Sequence, residues 1–125
     1  MSKCRVLVVD DNRDAADLLG QLIDAMGHEA IVAYGGLEGL ATAKAAKADL
    51  AFVDIGMPDL DGFSVARALR SEAAFSSLRL IALTAWSDAA TKEKAFASGF
   101  DEHMSKPASM SAVLSAIMLR QQMPK

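Results

Sequence analysis

Cys4-Arg5-Val6-Leu7-Val8-Val9-Asp10-Asp11-Asn12 decides the fold. Six residues dominated by aliphatics, without polar alternation, have the pattern of a parallel strand buried on both faces. The run stops at two carboxylates, and Asn12 is a good N-cap for a following helix. Asp49-Leu50-Ala51-Phe52-Val53 likewise stops at Asp54, and Leu80-Ile81-Ala82-Leu83 stops at Thr84. A last short strand ends at Lys106, followed by Pro107. In an open α/β sheet ligands bind at the carboxyl ends of the strands. Three carboxylates, a hydroxyl and an ammonium are therefore expected to gather along one edge.

Between these strands the periodicity turns helical. Leu18, Leu19, Leu22, Ile23 and Met26 recur at helical spacing, and Gly27 stops the helix. Residues 29–33 read as a second strand. Gly35-Gly36 opens an Ala-rich helix reaching residue 48, whose weak stripe (Leu37, Leu40, Ala41) predicts the least tightly packed helix. Residues 56–62 form a loop punctuated by Pro58 and two glycines. Phe63, Ala66, Leu69 and Ala73 mark helix three, and residues 78–84 form strand four. Ser87 and Asp88 are the capping candidates for helix four, which stops at Gly99. Residues 101–105 form a polar fifth strand. Ser109 or Ser111 opens helix five, with Val113, Leu114, Ile117 and Met118 predicted to face inward, and residues 121–125 are expected to fray. Strand–helix alternation implies a parallel sheet with helices on both faces. Order 2-1-3-4-5 puts the two most apolar strands in the middle and the polar strands two and five at the edges. Asp10, Asp11 and Asp54 then flank the switch point of the topology.

The chain has 125 residues, 52% of them hydrophobic. This length suits one domain, read here as residues 1–125, able to bury roughly two-thirds of its unfolded surface. The net charge of −3 argues against nucleic-acid or anionic-membrane binding. No apolar run reaches the roughly 20 residues of a membrane span, and the N-terminus lacks a signal-peptide pattern. The single cysteine, Cys4, excludes an internal disulfide and reads as a small buried hydrophobe. These features predict a cytoplasmic protein that binds no nucleic acid and does not insert into membranes.

Two carboxylates about 4 Å apart repel by about 4 kcal/mol at an effective dielectric near 20. A folded chain keeps such a cluster for a cation or for catalysis. Hard oxygen ligands without His or Cys suit Mg²⁺. A lysine beside them offsets charge on an oxyanion held at the same place, and a threonine hydroxyl donates to it. Those are the parts of a phosphoryl-transfer site. Neither GxxxxGK[ST] nor GxGxxG occurs, so a tightly held nucleotide is not implied. An aspartate can itself accept the phosphoryl group.

The blocks Val-Asp10-Asp11-Asn, Val-Asp54-Ile-Gly-Met57-Pro58-Asp-Leu-Asp-Gly62, Leu-Thr84-Ala85 and Ser-Lys106-Pro107 resemble the receiver domain of two-component response regulators over the whole chain. The resemblance implies that Asp54 is the phosphoacceptor, taking its phosphoryl group from a histidine kinase or a histidine phosphotransfer protein. It implies that Asp11, Asp54 and the Gly56 carbonyl hold Mg²⁺, with Asp10 acting through water. Lys106 and Thr84 would contact the phosphoryl group. Pro107 resembles a cis proline that aims the lysine inward. The face of helix four, strand five and helix five would carry the signal to a downstream protein, as a monomer or a weak dimer linked to phosphorylation. Such a domain is a phosphoacceptor, not an enzyme.

The chain departs from the family pattern at three positions. His103 stands where Tyr or Phe is usual at the switch position. Gly56 has no side chain to orient an attacking water, and Trp86 is bulky enough to cover an acyl phosphate, so slow autodephosphorylation is expected. Trp86 reads equally as an exposed anchor for a partner, and His103 as a plain surface residue. Asp59 and Asp61 read as loop solubilisers, His28 as a group following a helix end, and the seven methionines mostly as core fillers. Three other readings stand beside the leading one. They are a binding module that works without phosphorylation, a receiver separated from a hybrid kinase, and an enzyme or flavodoxin on the same fold. Asp10-Asp11-Asn12 is the electrostatic opposite of a flavodoxin phosphate loop, and Gly56 stands where aspartate-dependent phosphatases need a second Asp.

Overall fold

Five short parallel strands pair in the order β2-β1-β3-β4-β5 in the computed structural model, which describes residues 3–86 and 88–124. The strands are β1 (Arg5–Val9), β2 (Glu29–Ala33), β3 (Leu50–Asp54), β4 (Arg79–Thr84) and β5 (Glu102–Ser105). The helices are α1 (Arg13–Ala25), α2 (Gly36–Ala46), α3 (Gly62–Arg70), α4 (Ala89–Ser98) and α5 (Met110–Gln122), with a 3-10 turn at Ala73–Phe75. The order and the edge positions of β2 and β5 are those expected from their polarity.

Successive strand residues point to opposite faces, so each central strand feeds two cores. Val6, Val8, Phe52, Ile81 and Leu83 meet Leu19 and Ile23 of α1 and Val113 and Ile117 of α5. Leu7, Val9, Val53, Leu80 and Ala82 meet Ala43 of α2, Phe63 and Leu69 of α3, and Ala95 of α4. Every residue of β3 is buried, which fixes Asp54 against a rigid strand end. Cys4 is buried as expected, although it lies just before β1 rather than on it.

Several local expectations are corrected. Leu114 (39% exposed) and Met118 (44%) face outward, because the buried stripe of α5 is Val113, Ala116, Ile117 and Arg120. Leu18 is 59% exposed, and α1 buries Ala16, Leu19, Gly20 and Ile23 instead. Ala73 belongs to the exposed 3-10 turn, since α3 ends at Arg70. Met110, Met118 and Met123 are exposed, while Met57 and Met104 are core. Helix α5 continues through Gln122, so residues 121 and 122 are helical, and Lys125 lies outside the described residues. Helix α2 stops two residues short of the expected end. Its weak stripe reflects close approach through glycine: a β-carbon at Gly39 would sit 2.7 Å from Val9.

Caps explain the acidic loop. The Asp61 carboxylate caps α3 by accepting from Ser64 N (2.8 Å). The Asp59 carboxylate accepts from Gly36 N (3.2 Å) and Leu37 N (3.1 Å) at the start of α2. Those two hydrogen bonds hold its pKa below the ordinary carboxylate value. Both residues are structural caps rather than solubilisers. His28 Nδ1 accepts from Cys4 N (3.0 Å), tying the start of β2 to the residue before β1. Ser109, not Ser111, caps α5, its hydroxyl accepting from Ala112 N (3.1 Å). Asp88 occupies the N-cap position of α4 with its carboxylate bonded to the Thr91 hydroxyl, and Ser87 lies outside the described residues.

Gly62 closes the loop after β3 against backbone. A β-carbon there would fall 2.5 Å from the Asp54 carbonyl oxygen and 2.8 Å from Ile55 Cα, and neither can move aside. Gly62→Ala is expected to lower the unfolding free energy in urea by about 2 kcal/mol or more. Gly56→Ala, whose β-carbon meets nothing within 4 Å, is expected to leave it within about 0.5 kcal/mol. Equal losses at the two positions would contradict this account.

Candidate functional site

The carboxyl ends of β1, β3, β4 and β5 meet in one open cup. It is lined by Asp10, Asp11, Asn12, Asp54, Gly56, Thr84, Ala85, Trp86 and Lys106. Asp10 lies just past β1, where its N–H donates to Ala33 O of β2 (3.1 Å). Its Oδ1 accepts from Asn12 N (3.0 Å), so the turn into α1 aims the side chain. Asp54 Oδ1 accepts from Gly56 N (3.3 Å) in the same manner. Lys106 follows β5, and its N–H donates to Thr84 O (2.8 Å). The Lys106–Pro107 peptide is cis.

Carboxylate oxygens of Asp10, Asp11 and Asp54 lie within 4.8 Å of one another. Asp10 and Asp54 are buried and Asp11 is exposed, so the cluster opens to solvent on one side. Lys106 Nζ sits 2.8 Å from Asp10 Oδ2 and 3.6 Å from Asp54 Oδ1. One ammonium against three carboxylates leaves excess negative charge. Burial, and then the Asp10 charge, push the Asp54 carboxyl up to about 6, against downward pulls from Lys106 and the Gly56 N–H. Burial alone would lower Lys106, but its hydrogen bond to Asp10 and the charges of Asp54 and Asp10 hold it above the ordinary lysine value. Hard anionic oxygens, a net deficit of positive charge and an opening to solvent fit a divalent cation such as Mg²⁺.

Thr84 is buried at the end of β4, and its Oγ1 accepts from Trp86 N (2.9 Å). Trp86 is 64% exposed and forms the rim between the cup and a neighbouring cleft lined by Ile55, Phe63, Ala90, Thr91 and Lys94. His103, on β5 opposite Ala82, is half-buried. Its Nε2 is sealed from solvent without a hydrogen-bond partner, so it is not a plain surface residue. Asn12, read from sequence as a helix cap alone, also lines the cup. Its place directly after two carboxylates was the available clue.

A doubly wound sheet with this acidic cup at its switch point defines a class of aspartate-bearing signalling domain. The match to the response regulator receiver domain model spans residues 6–118, and the chain belongs to that family, the receiver domains of two-component signalling. It is 31% identical to the polar-differentiation response regulator DivK of Brucella anthropi, covering 90% of this chain and 91% of that protein. It is 36% identical to the sensor protein GacS of Pseudomonas syringae over 84% of this chain, but that match spans only 12% of GacS. Likewise it spans 47% of the regulator RpaA of Synechocystis, at 29% identity. The chemotaxis protein CheY4 of Vibrio cholerae superposes with a TM-score of 0.88 at 25% identity, covering 94% of this chain and 98% of that one. No helix among the described residues is long and apolar enough to cross a membrane.

The raised Asp54 carboxyl makes stability depend on pH when no cation is present. A group whose folded pKa lies above its unfolded value contributes stability below about pH 4, and that contribution is lost as pH rises through about 6. In EDTA, Asp54→Asn is expected to stabilise the protein by about 1–2 kcal/mol at pH 7.5 and by about half as much at pH 5. Urea unfolding at the two pH values checks this. An equal effect at both would show that Asp54 titrates normally.

Proposed function

We propose that this chain is a phosphorylation-switched receiver that accepts a phosphoryl group on Asp54 from a phosphohistidine donor. The reading is supported chiefly by the juxtaposition of Asp10, Asp11 and Asp54 within 4.8 Å, with Lys106 reaching the same cup from β5. Asp54 Oδ attacks phosphorus as the P–N bond breaks, and the electron pair of that bond returns to the donor's imidazole nitrogen. Asp11, Asp54 and the Gly56 carbonyl would hold Mg²⁺, with Asp10 acting through water. An ion held there would supply positive charge to offset the phosphoryl oxygens.

Lys106 shifts its ammonium from Asp10 toward a phosphoryl oxygen. Thr84 turns its hydroxyl to donate to another, leaving the Trp86 N–H. The acyl phosphate adds about −1.5 to −2 charges and three acceptor oxygens to a site already short of cations. The resulting shift around Thr84 is passed to α4, β5 and α5, and with it the contacts offered to a downstream protein. His103 sits on that route. Residues 1–125 act as one receiver unit, and donor and target are separate proteins or domains. Likeness both to DivK over nearly its whole length and to a short part of the sensor GacS supports either a stand-alone regulator or the receiver of a hybrid kinase.

Incubation with acetyl phosphate and Mg²⁺ is expected to add one phosphoryl mass to Asp54, located by peptide mass spectrometry. Asp54→Asn, or EDTA in place of Mg²⁺, is expected to abolish it. Mass gain elsewhere, or none with wild type, would refute the assignment and favour a binding module that works without phosphorylation.

Trp86 stands on the rim of the cup and Gly56 offers no side chain to a water, so the phosphorylated form is expected to persist for many minutes. Trp86→Ala is expected to shorten its half-life several-fold, followed by loss of the phosphorylated mass with time. A half-life of seconds, unchanged on Trp86→Ala, would overturn this.

A further inference from the structure

A cleft of about 390 Å³ lies at the amino ends of the strands, on the edge of the sheet opposite the acidic cup. The end of α2, the start of β3, the 3-10 turn leading into β4 and the end of α5 converge on it. Its floor is apolar, built from Phe75 and Leu78 together with alanines of α2 and the 3-10 turn. Lys44, Lys47, Ser77 and Arg120 line it as well, with Asp49 the one acidic side chain in the lining. A volume of this size and a mostly apolar wall carrying a few convergent polar groups are the ordinary attributes of a small-molecule site.

Arg120 distinguishes this cleft from an ordinary surface dent. It is 3% exposed, on the inward stripe of α5 among Val113, Ala116 and Ile117. Among the described residues its guanidinium makes one hydrogen bond, Nε to the Asp49 carbonyl (2.9 Å), and no ion pair. Arg70 is the contrast. Its guanidinium makes four hydrogen bonds, to Gly99 O, Phe75 O, Leu78 O and the Asp101 carboxylate. A guanidinium has five donors, and a buried cation without a counter-charge is costly. The terminal nitrogens of Arg120 are not among the sealed, unpartnered atoms, and Arg120 is part of the lining of this cleft. Lys47 stands at the rim, closing α2 in a left-handed conformation (φ 53°) that a glycine or asparagine adopts more readily. Lys44 is partly offset by Glu72 at 3.4 Å, and both are well exposed.

We propose that this cleft binds a small amphiphilic anion. A phosphate or carboxylate head would pair with Arg120 and Lys47 and accept from Ser77. An apolar, preferably planar, body would lie on Phe75 and Leu78. The site is separate from the phosphoryl cup and stands whether or not Asp54 is the phosphoacceptor.

The test is an amide and arginine side-chain NMR titration of the full chain without divalent cations, so that the acidic cup repels the probes. Phenyl phosphate, benzoate, inorganic phosphate and phenol are added in turn. Saturable shifts are expected at Lys47, Ala48, Ser77, Leu78 and the Arg120 Nε–H, with millimolar affinity for phenyl phosphate or benzoate. The tighter of the two names the head group. Inorganic phosphate is expected to bind more weakly, for want of the apolar body, and phenol more weakly still. The double variant Lys44→Gln, Lys47→Gln is expected to weaken phenyl phosphate at least fivefold with an unchanged unfolding midpoint. Arg120→Gln is expected to abolish binding if it folds, and the lysine variant decides the matter if it does not. Shifts spread equally over Lys3, Lys92 and Lys94, affinity indifferent to the lysine substitutions, or phenol binding as tightly as the anions would each overturn the proposal.

Discussion

Mutual repulsion of carboxylates, held in place by strands that cannot yield, is the constraint from which the rest of the site follows. Asp54 ends a strand whose five residues are all buried, and Asp10 follows a strand whose last four are. The strands pair directly, Val9 against Val53, so their acidic ends are fixed side by side. Relaxing the repulsion would mean unpacking Phe52, Val53 and Val9 from two cores at once. Burial of such side chains is worth about 1.5–3 kcal/mol each, so the three together outweigh one carboxylate–carboxylate repulsion of about 4 kcal/mol at moderate dielectric. The packing therefore prevails, and the charge is offset locally instead.

The offset comes from far away in the chain. Lys106 reaches Asp10 across 96 residues, from the opposite end of the sheet order. It reaches because β5 pairs with β4 in a register that sets Ser105 beside Thr84. A single ammonium cannot balance three carboxylates. Burial and Asp10 together keep Asp54 hard to ionise until something positive arrives. A site in this condition gains from a cation in a way a balanced salt-bridge network would not.

What the sequence made legible is what strict patterning enforces. Unbroken apolar runs ending in acids placed Asp10, Asp54 and Thr84 on one edge, because a buried parallel strand leaves its residues no second arrangement. Helix faces were less legible where apolar residues surround the axis. In Met110–Gln122, Leu114 and Met118 are as hydrophobic as Val113 and Ile117, so periodicity could not choose between faces. The face that is buried carries Val113, Ala116 and Ile117 in the core and Arg120 bonded to the Asp49 carbonyl, contacts that exist only once α5 lies on the sheet. The roles of Asp59 and Asp61 were hidden for a similar reason. A capping carboxylate and a solvated one look alike until the helix whose N–H groups it meets is in position.

His103 shows how an unpaired atom bears on where a side chain rests. An aromatic hydrocarbon ring buried beside β4 would have no polar atom to leave stranded. The imidazole does, and its Nε2 is enclosed without a partner. A buried polar atom left unpaired costs about 1–3 kcal/mol relative to one that is bonded or wet. That cost applies only to the arrangement in which the ring is tucked in. Any arrangement that lets Nε2 meet water escapes it, so the gap between tucked and released rings is narrower than packing alone would set. Exchanging a hydrocarbon ring for an imidazole at this position therefore narrows the gap between tucked and released side chains.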